Sequence, residues 1–211
     1  MTHFDLSLYL VLDPDLCRVI GMVETARLAV RGGATMVQLR DKQATTEEMV
    51  ATGLELKAAL AGTGVPLIVN DDVEAAIAIG ADGIHVGQDD MAAVAVRERV
   101  GGRMIVGLSV ETEELARRVD PAVVDYVGIG PVFATITKPD HKPPIGFGGL
   151  ARIVAASPVP AVAIGGVKGE HAAEVSRAGA IGLSVVSAIC GQPDPQAAAR
   201  SIADEIARVK T

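Results

Sequence analysis

The chain has 211 residues, 49% of them apolar, a net charge of −7, and only Phe4, Phe133, Phe147, Tyr9 and Tyr126 as aromatics. That length fits one α/β barrel near its lower size limit, and Val, Ile, Leu and Ala supply the core. The acidic balance and scarce stacking rings argue against a nucleic-acid surface, and no apolar run approaches the roughly 20 residues of a membrane span.

Short β-branched runs alternate with alanine-rich helical patterns along the whole sequence. The first run, Leu8 to Leu12, is not followed by the glycine fingerprint of a dinucleotide-binding turn. The second, Thr35 to Leu39, ends in Gln38, Arg40 and Lys42 at every other position. An extended strand end directs Arg40 and Lys42 to one side, a pairing that suits a diphosphate, while a surface basic pair is the plain alternative. Thr45 to Glu48 forms a capping box that opens the next helix.

The third run, Pro66 to Asn70, leads into Asp71 and Asp72, and the fourth, Gly83 to Val86, into Gln88, Asp89 and Asp90. Carboxylates Asp71 and Asp90 at neighbouring strand ends suit a shared Mg²⁺. Helix capping competes with that reading: Asp71 stands three before Glu74, and Asp89 or Asp90 precedes a helix expected near Met91. His85 lies on the fourth strand and is expected to be satisfied internally rather than to act as a base. His3, His141 and His171 are expected in solvent or loops.

The fifth run, Met104 to Leu108, is followed by Ser109, and the sixth, Val123 to Val127, by the segment Gly130 to Asp140. That segment gathers Thr135, Thr137 and Lys138, two hydroxyls and an ammonium, and reads as an anion grip rather than a solvated loop. The seventh run, Ala161 to Ile164, is followed by Gly165-Gly166 and a helix expected near Glu170; the eighth, Gly182 to Val185, by Val186-Ser187. Backbone N–H groups at Gly166, Val186 and Ser187 suit a phosphate, with tight glycine turns as the alternative. Asp194-Pro195 then starts a last helix with Ala198, Ile202, Ala203, Ile206 and Val209 on one stripe.

Three glycine-alanine junctions, at Gly33, Gly80 and Gly179, each close a helix and launch a strand. Eight strand–helix units without a linker predict a TIM (β/α)8 barrel spanning 1–211 as a single domain. The reactive side chains then all fall at the carboxyl ends of the strands, where such barrels assemble their sites. The N-terminus lacks a secretory pattern, and Cys17 and Cys190 lack a metal-type spacing. The expectation is a cytoplasmic protein, with a bridge between the cysteines disfavoured there. Homo-oligomerisation is left open.

Seven motifs in order resemble the thiamine-phosphate synthase family: Val37 to Lys42, Asn70 to Asp72, Gly80 to Asp90, Gly107 to Ser109, Gly130 to Lys138, Ile164 to Gly166 and Gly182 to Ile189. The resemblance implies a TIM barrel that joins a hydroxymethylpyrimidine diphosphate to a hydroxyethylthiazole phosphate and releases diphosphate. By motif, it implies that Gln38, Arg40, Lys42, Asn70, Ser109 and Lys138 hold the pyrimidine diphosphate. Asp71 and Asp90 would bind Mg²⁺, and Thr135, Thr137, Gly166, Val186 and Ser187 would receive the thiazole phosphate. Arg40, Lys42 and Lys138 would stabilise the departing charge on a dissociative, carbocation-like path. Pro139 to Gly146 departs from the more polar, arginine-containing loop of many relatives. A thiazole tautomerase of the same superfamily and a non-catalytic phosphate-ligand sensor remain as alternatives.

Overall fold

Eight parallel strands pair in chain order, and β1 (Leu8–Val11) pairs with β8 (Gly182–Val185) to close the barrel. Between these come β2 (Met36–Leu39), β3 (Leu67–Asn70), β4 (Gly83–Val86), β5 (Ile105–Val110), β6 (Tyr126–Ile129) and β7 (Ala161–Ala163). This computed structural model describes residues 4–135 and 142–210. The helices on the outside are α1 (Met22–Gly32), α2 (Thr46–Leu60), α3 (Val73–Ile79), α4 (Ala93–Val100), α5 (Glu113–Arg117), α6 (Gly146–Ala156), α7 (Ala172–Arg177) and α8 (Pro195–Lys210). A 3-10 turn, Gly169–His171, precedes α7.

Strand alternation sorts the side chains into two cores. Leu10, Val37, Val69, Ile84, Val106 and Val127 point outward into the layer shared with the helices. Tyr9, Met36, Ile68, Ile105, Tyr126 and Val162 point inward and, with Leu6, make a separate apolar floor inside the barrel. Nearer the carboxyl ends, the inward lining turns polar with Gln38, Asn70, His85 and Ser109. Continuous apolar strands are what a parallel sheet buried on both faces requires.

The helix signals act as the sequence leads one to expect. Thr45 and Glu48 form a reciprocal capping box on α2, and Asp194 accepts from the Ala197 N–H at the start of α8. Gly33 and Gly80 sit in the left-handed conformation as the C-caps of α1 and α3. Outside the β1–β8 seam, α1 packs against α8. A Cβ on Gly32 would lie 2.4 Å from the Gln196 carbonyl oxygen and 2.7 Å from Ala199 Cβ, so only glycine admits this approach.

Several boundaries move. The sixth strand begins at Tyr126 rather than Val123, because the Asp120 carbonyl accepts from both Val123 and Val124 N–H at 2.9 Å and holds them in a turn. An apolar turn and an apolar strand look alike in sequence. The fifth strand runs on to Val110, which places Ser109 within it rather than after it. Helix α4 starts at Ala93, and α5 is barely one turn. A helix expected near Glu170 is the 3-10 turn followed by α7.

Candidate functional site at the carboxyl-end mouth

The strand ends β2, β3 and β4 bring the first group of candidate residues to one side of the mouth. Gln38 is buried on β2, with its Nε2 donating to Tyr9 Oη at 2.5 Å. Arg40, two residues on, is half-buried, and Lys42 is exposed and ion-pairs with Asp71 across the gap to β3. Asn70 ends β3 and stands in register with His85 of β4.

Asp71 and Asp90 are brought together. Burial, first, and the neighbouring Asp90 carboxyl push the Asp71 carboxyl above the usual aspartate range, while the Lys42 ammonium pulls it down. Neither residue caps a helix. Asp72 is the cap of α3, accepting from the Ala75 N–H at 2.8 Å, and α4 has no side-chain cap. Asp90 instead accepts from Gly87 N–H at 2.8 Å, which folds the loop after β4 back over the strand end. The capping reading of Asp71 and Asp90 is therefore corrected: Asp71 meets Lys42 and Asp90, and Asp90 meets Asp71 and the Gly87 N–H. Two adjoining acids with oxygen donors only fit a hard divalent cation that completes its shell with water and phosphate oxygens. Among the described residues no group of three or more His, Cys, Asp or Glu could form a closed cage.

Ser109 lies inside the mouth on β5, with Oγ 2.9 Å from His85 Nε2, and its carbonyl accepts from Gln88 Nε2 at 2.6 Å. His85 is satisfied on both ring nitrogens, since Nδ1 lies 3.0 Å from Tyr126 Oη. The sequence alone does not single out Tyr9 and Tyr126 as neighbours of the site. Their inward parity on β1 and β6 is the only signal, and it does not reveal that they meet.

The second group lies on the loops after β6, β7 and β8. Gly165 and Gly166 have φ of 81° and 67°, and a Cβ on Gly166 would press within 2.8 Å of both Ala134 O and Phe133 Cβ. Phe133 N–H donates to Gly165 O at 3.0 Å, and Val132 N–H to Ile164 O at 2.9 Å. The glycine turn is thus laced to the segment that leads to Thr135. Thr135 ends the described part of that segment; Thr137, Lys138 and His141 lie outside the described residues. After β8, the Val186 carbonyl accepts from Ile189 and Cys190, opening a helical turn at Val186-Ser187 whose first N–H groups lack partners within the turn. His171 does not stand free in solvent: its ring packs 4.8 Å from Phe133 and 5.7 Å from Phe147.

Two cavities of about 340 and 350 Å³ are present, one between the loop after β2 and α2, lined by Asp41 and Glu48, the other between α7, α8 and β8. Neither contains a candidate residue, and the chemistry of the mouth outweighs their size. Cys17 and Cys190 are free and buried, and a hydrogen bond from the Cys190 thiol pulls the Cys17 thiol below its ordinary range. No described helix is long and apolar enough to cross a membrane.

Comparison with known proteins supplies an independent view. The sequence profile of the family described as thiamine monophosphate synthase matches residues 8–189. A thiamine-phosphate synthase from Roseiflexus sp. (strain RS-1) is 45% identical over 92% of this chain and 82% of its own. One from Psychrobacter sp. (strain PRwf-1) is 46% identical over 92% of both. Among solved structures, thiamine phosphate pyrophosphorylase from Pyrococcus furiosus superimposes with a TM-score of 0.87 at 34% identity, covering 98% of each chain. A 3-hexulose-6-phosphate synthase, at 21% identity and a TM-score of 0.68, shares the barrel.

Proposed function

The chain belongs to the thiamine monophosphate synthase family and is a transferase of thiamine biosynthesis, and from that premise we propose how its mouth carries out the reaction. Its substrates are phosphorylated small molecules. On this reading it joins hydroxymethylpyrimidine diphosphate to hydroxyethylthiazole phosphate, giving thiamine phosphate and diphosphate. The observation that carries the assignment of the site is the meeting of Lys42, Asp71 and Asp90 beside a polar inward ring that includes Gln38 and Ser109.

Gln38, Asn70 and Ser109 orient the pyrimidine, and Arg40, Lys42 and Lys138 hold its diphosphate. Asp71 and Asp90 would hold Mg²⁺, which when bound supplies positive charge to diphosphate oxygens. The methylene–oxygen bond breaks first, its electron pair leaves with the diphosphate, and the thiazole nitrogen then donates a pair to the pyrimidine methylene cation to form the new C–N bond. Such a path needs little from a protein base, and the charged side chains act by stabilising the growing charge on the leaving group. Thr135, Thr137, Gly166, Val186 and Ser187 would seat the thiazole phosphate so that its ring nitrogen faces the departing bond. The biosynthetic role shared with the relatives supports a cytoplasmic setting.

The test is direct. Both substrates with Mg²⁺ should yield thiamine phosphate and diphosphate in equal amounts, and a chelator should stop turnover until Mg²⁺ is restored. Conversion of the thiazole alone would make the protein a tautomerase, and binding of either ligand without turnover would make it a sensor; each outcome overturns the proposal.

A further inference from the structure

Four hydrogen bonds cross the barrel interior without a break. Gln38 Nε2 donates to Tyr9 Oη at 2.5 Å, and the Tyr9 and Tyr126 hydroxyls are 2.9 Å apart. Tyr126 Oη is 3.0 Å from His85 Nδ1, and His85 Nε2 is 2.9 Å from Ser109 Oγ. The chain starts at one residue assigned to the pyrimidine and ends at another. The interior is shaped around it: Gly107 is in register with both His85 and Tyr126. A Cβ there would lie 2.2 Å from Tyr126 Cζ and 2.5 Å from His85 Nδ1, on top of the bond that joins them.

With the Gln38 amide nitrogen facing Tyr9 and a neutral His85 ring, satisfying each buried hydroxyl sets one direction along the chain. Tyr9 accepts from the Gln38 amide, so its own hydrogen goes to Tyr126. Tyr126 in turn gives its hydrogen to His85 Nδ1. A neutral imidazole that accepts at Nδ1 carries its hydrogen on Nε2 and donates to Ser109 Oγ. Burial pushes both phenols well above their ordinary range, so each keeps its hydrogen. The Gln38 amide oxygen and the Ser109 hydroxyl hydrogen are what remains to offer a ligand. Turning Gln38 over would reverse all four bonds, exposing an amide NH₂ at one end and a bare hydroxyl oxygen at the other.

We propose that Tyr9, Tyr126 and His85 are positioning residues that tie the hydrogen-bond polarity of Gln38 to that of Ser109 and thereby select an aminopyrimidine. Resting on the reading of the mouth as a pyrimidine site, this deepens it. An aminopyrimidine donates through its exocyclic amino group and accepts at its ring nitrogens, which matches an acceptor at Gln38 and a donor at Ser109. An oxo-pyrimidine, which accepts at the exocyclic oxygen and donates from a ring N–H, mismatches both ends. It binds only by reversing the whole chain.

The experiment has two arms. In ligand-free protein, ¹⁵N NMR of the His85 ring, assigned by difference from His85→Gln, should find the hydrogen on Nε2 and a bare Nδ1; hydrogen on Nδ1 overturns the proposal. In Tyr126→Phe, KM for the pyrimidine diphosphate should rise roughly tenfold, the worth of about one buried hydrogen bond, while KM for the thiazole phosphate and kcat stay within about twofold. An unchanged pyrimidine KM, or an equal rise in both, overturns it. Should Tyr126→Phe not fold, the ring measurement on the native protein decides alone. Since that measurement needs no turnover, a wild-type protein that fails to couple the substrates would count against the function and not against the hydrogen-bond chain.

Discussion

Asp71 adopts a φ of 61°, the only positive φ outside glycine among the described residues. Aspartate and asparagine tolerate this left-handed conformation better than other side chains. The turn lets the Asp71 N–H donate to the His85 carbonyl at 2.9 Å while Asp72, not Asp71, caps α3. Asp71→Asn therefore keeps the backbone and removes the charge. We expect a folded protein whose kcat falls roughly 10²–10³-fold, with Lys138→Ala doing the same; near-normal turnover in either would reject the assigned role. The same residue predicts a pH effect in the metal-free protein. Its folded-state pKa is raised, chiefly by burial, so the stability it contributes is present below the ordinary aspartate range and lost as pH climbs through the raised value. The amide of Asp71→Asn has no proton to lose, so urea unfolding in chelator should show the variant gaining on the native protein across that window and then holding level. The sequence made both carboxylates visible as a pair but not which aspartate caps the helix, because that choice depends on one backbone angle.

The loops after β6 and β7 work as one element. Gly165 and Gly166 press so closely on Pro131, Phe133 and Ala134 that any side chain there displaces the segment leading to Thr135. Gly166→Ala should raise KM for the thiazole phosphate by roughly 10–100-fold, the loss of about one hydrogen bond to a charged group, with KM for the pyrimidine diphosphate little changed. Steady-state kinetics with each substrate varied in turn would check this, and equal effects on both would dissolve the division of the mouth into two halves. The glycine pair was legible as a turn or a phosphate seat, and its lacing to the preceding loop was not, since that depends on contacts across some thirty positions. In the same way the eight strand–helix units were legible from period and punctuation. The polar chain from Gln38 to Ser109 was not: Tyr9 and Tyr126 read as ordinary inward aromatics until the closed sheet brings their hydroxyls together.

Over the whole molecule, α1 packs against α8 outside the β1–β8 pairing that closes the barrel. Their backbones approach at Gly32, and Arg200 reaches across to donate to the Arg31 carbonyl at 2.8 Å. Gly32→Ala inserts a methyl where none fits, at a cost of about 1–3 kcal/mol for overpacking. Thermal unfolding should stay cooperative while Tm falls by roughly 2–4 °C for each of those kcal/mol. Gly102→Ala is the control: a Cβ there meets nothing within 4 Å, and its Tm should hardly move. The closed sheet has a last consequence through its apolar floor of Leu6, Met36, Ile68, Ile105 and Val162. On the proposed dissociative path, a benzylic-type cation formed above that plug would be sheltered from solvent on its underside, so the thiazole would compete with water from one direction only. The balance between coupling and hydrolysis would then be set at the rim, where the second substrate itself takes the place of water.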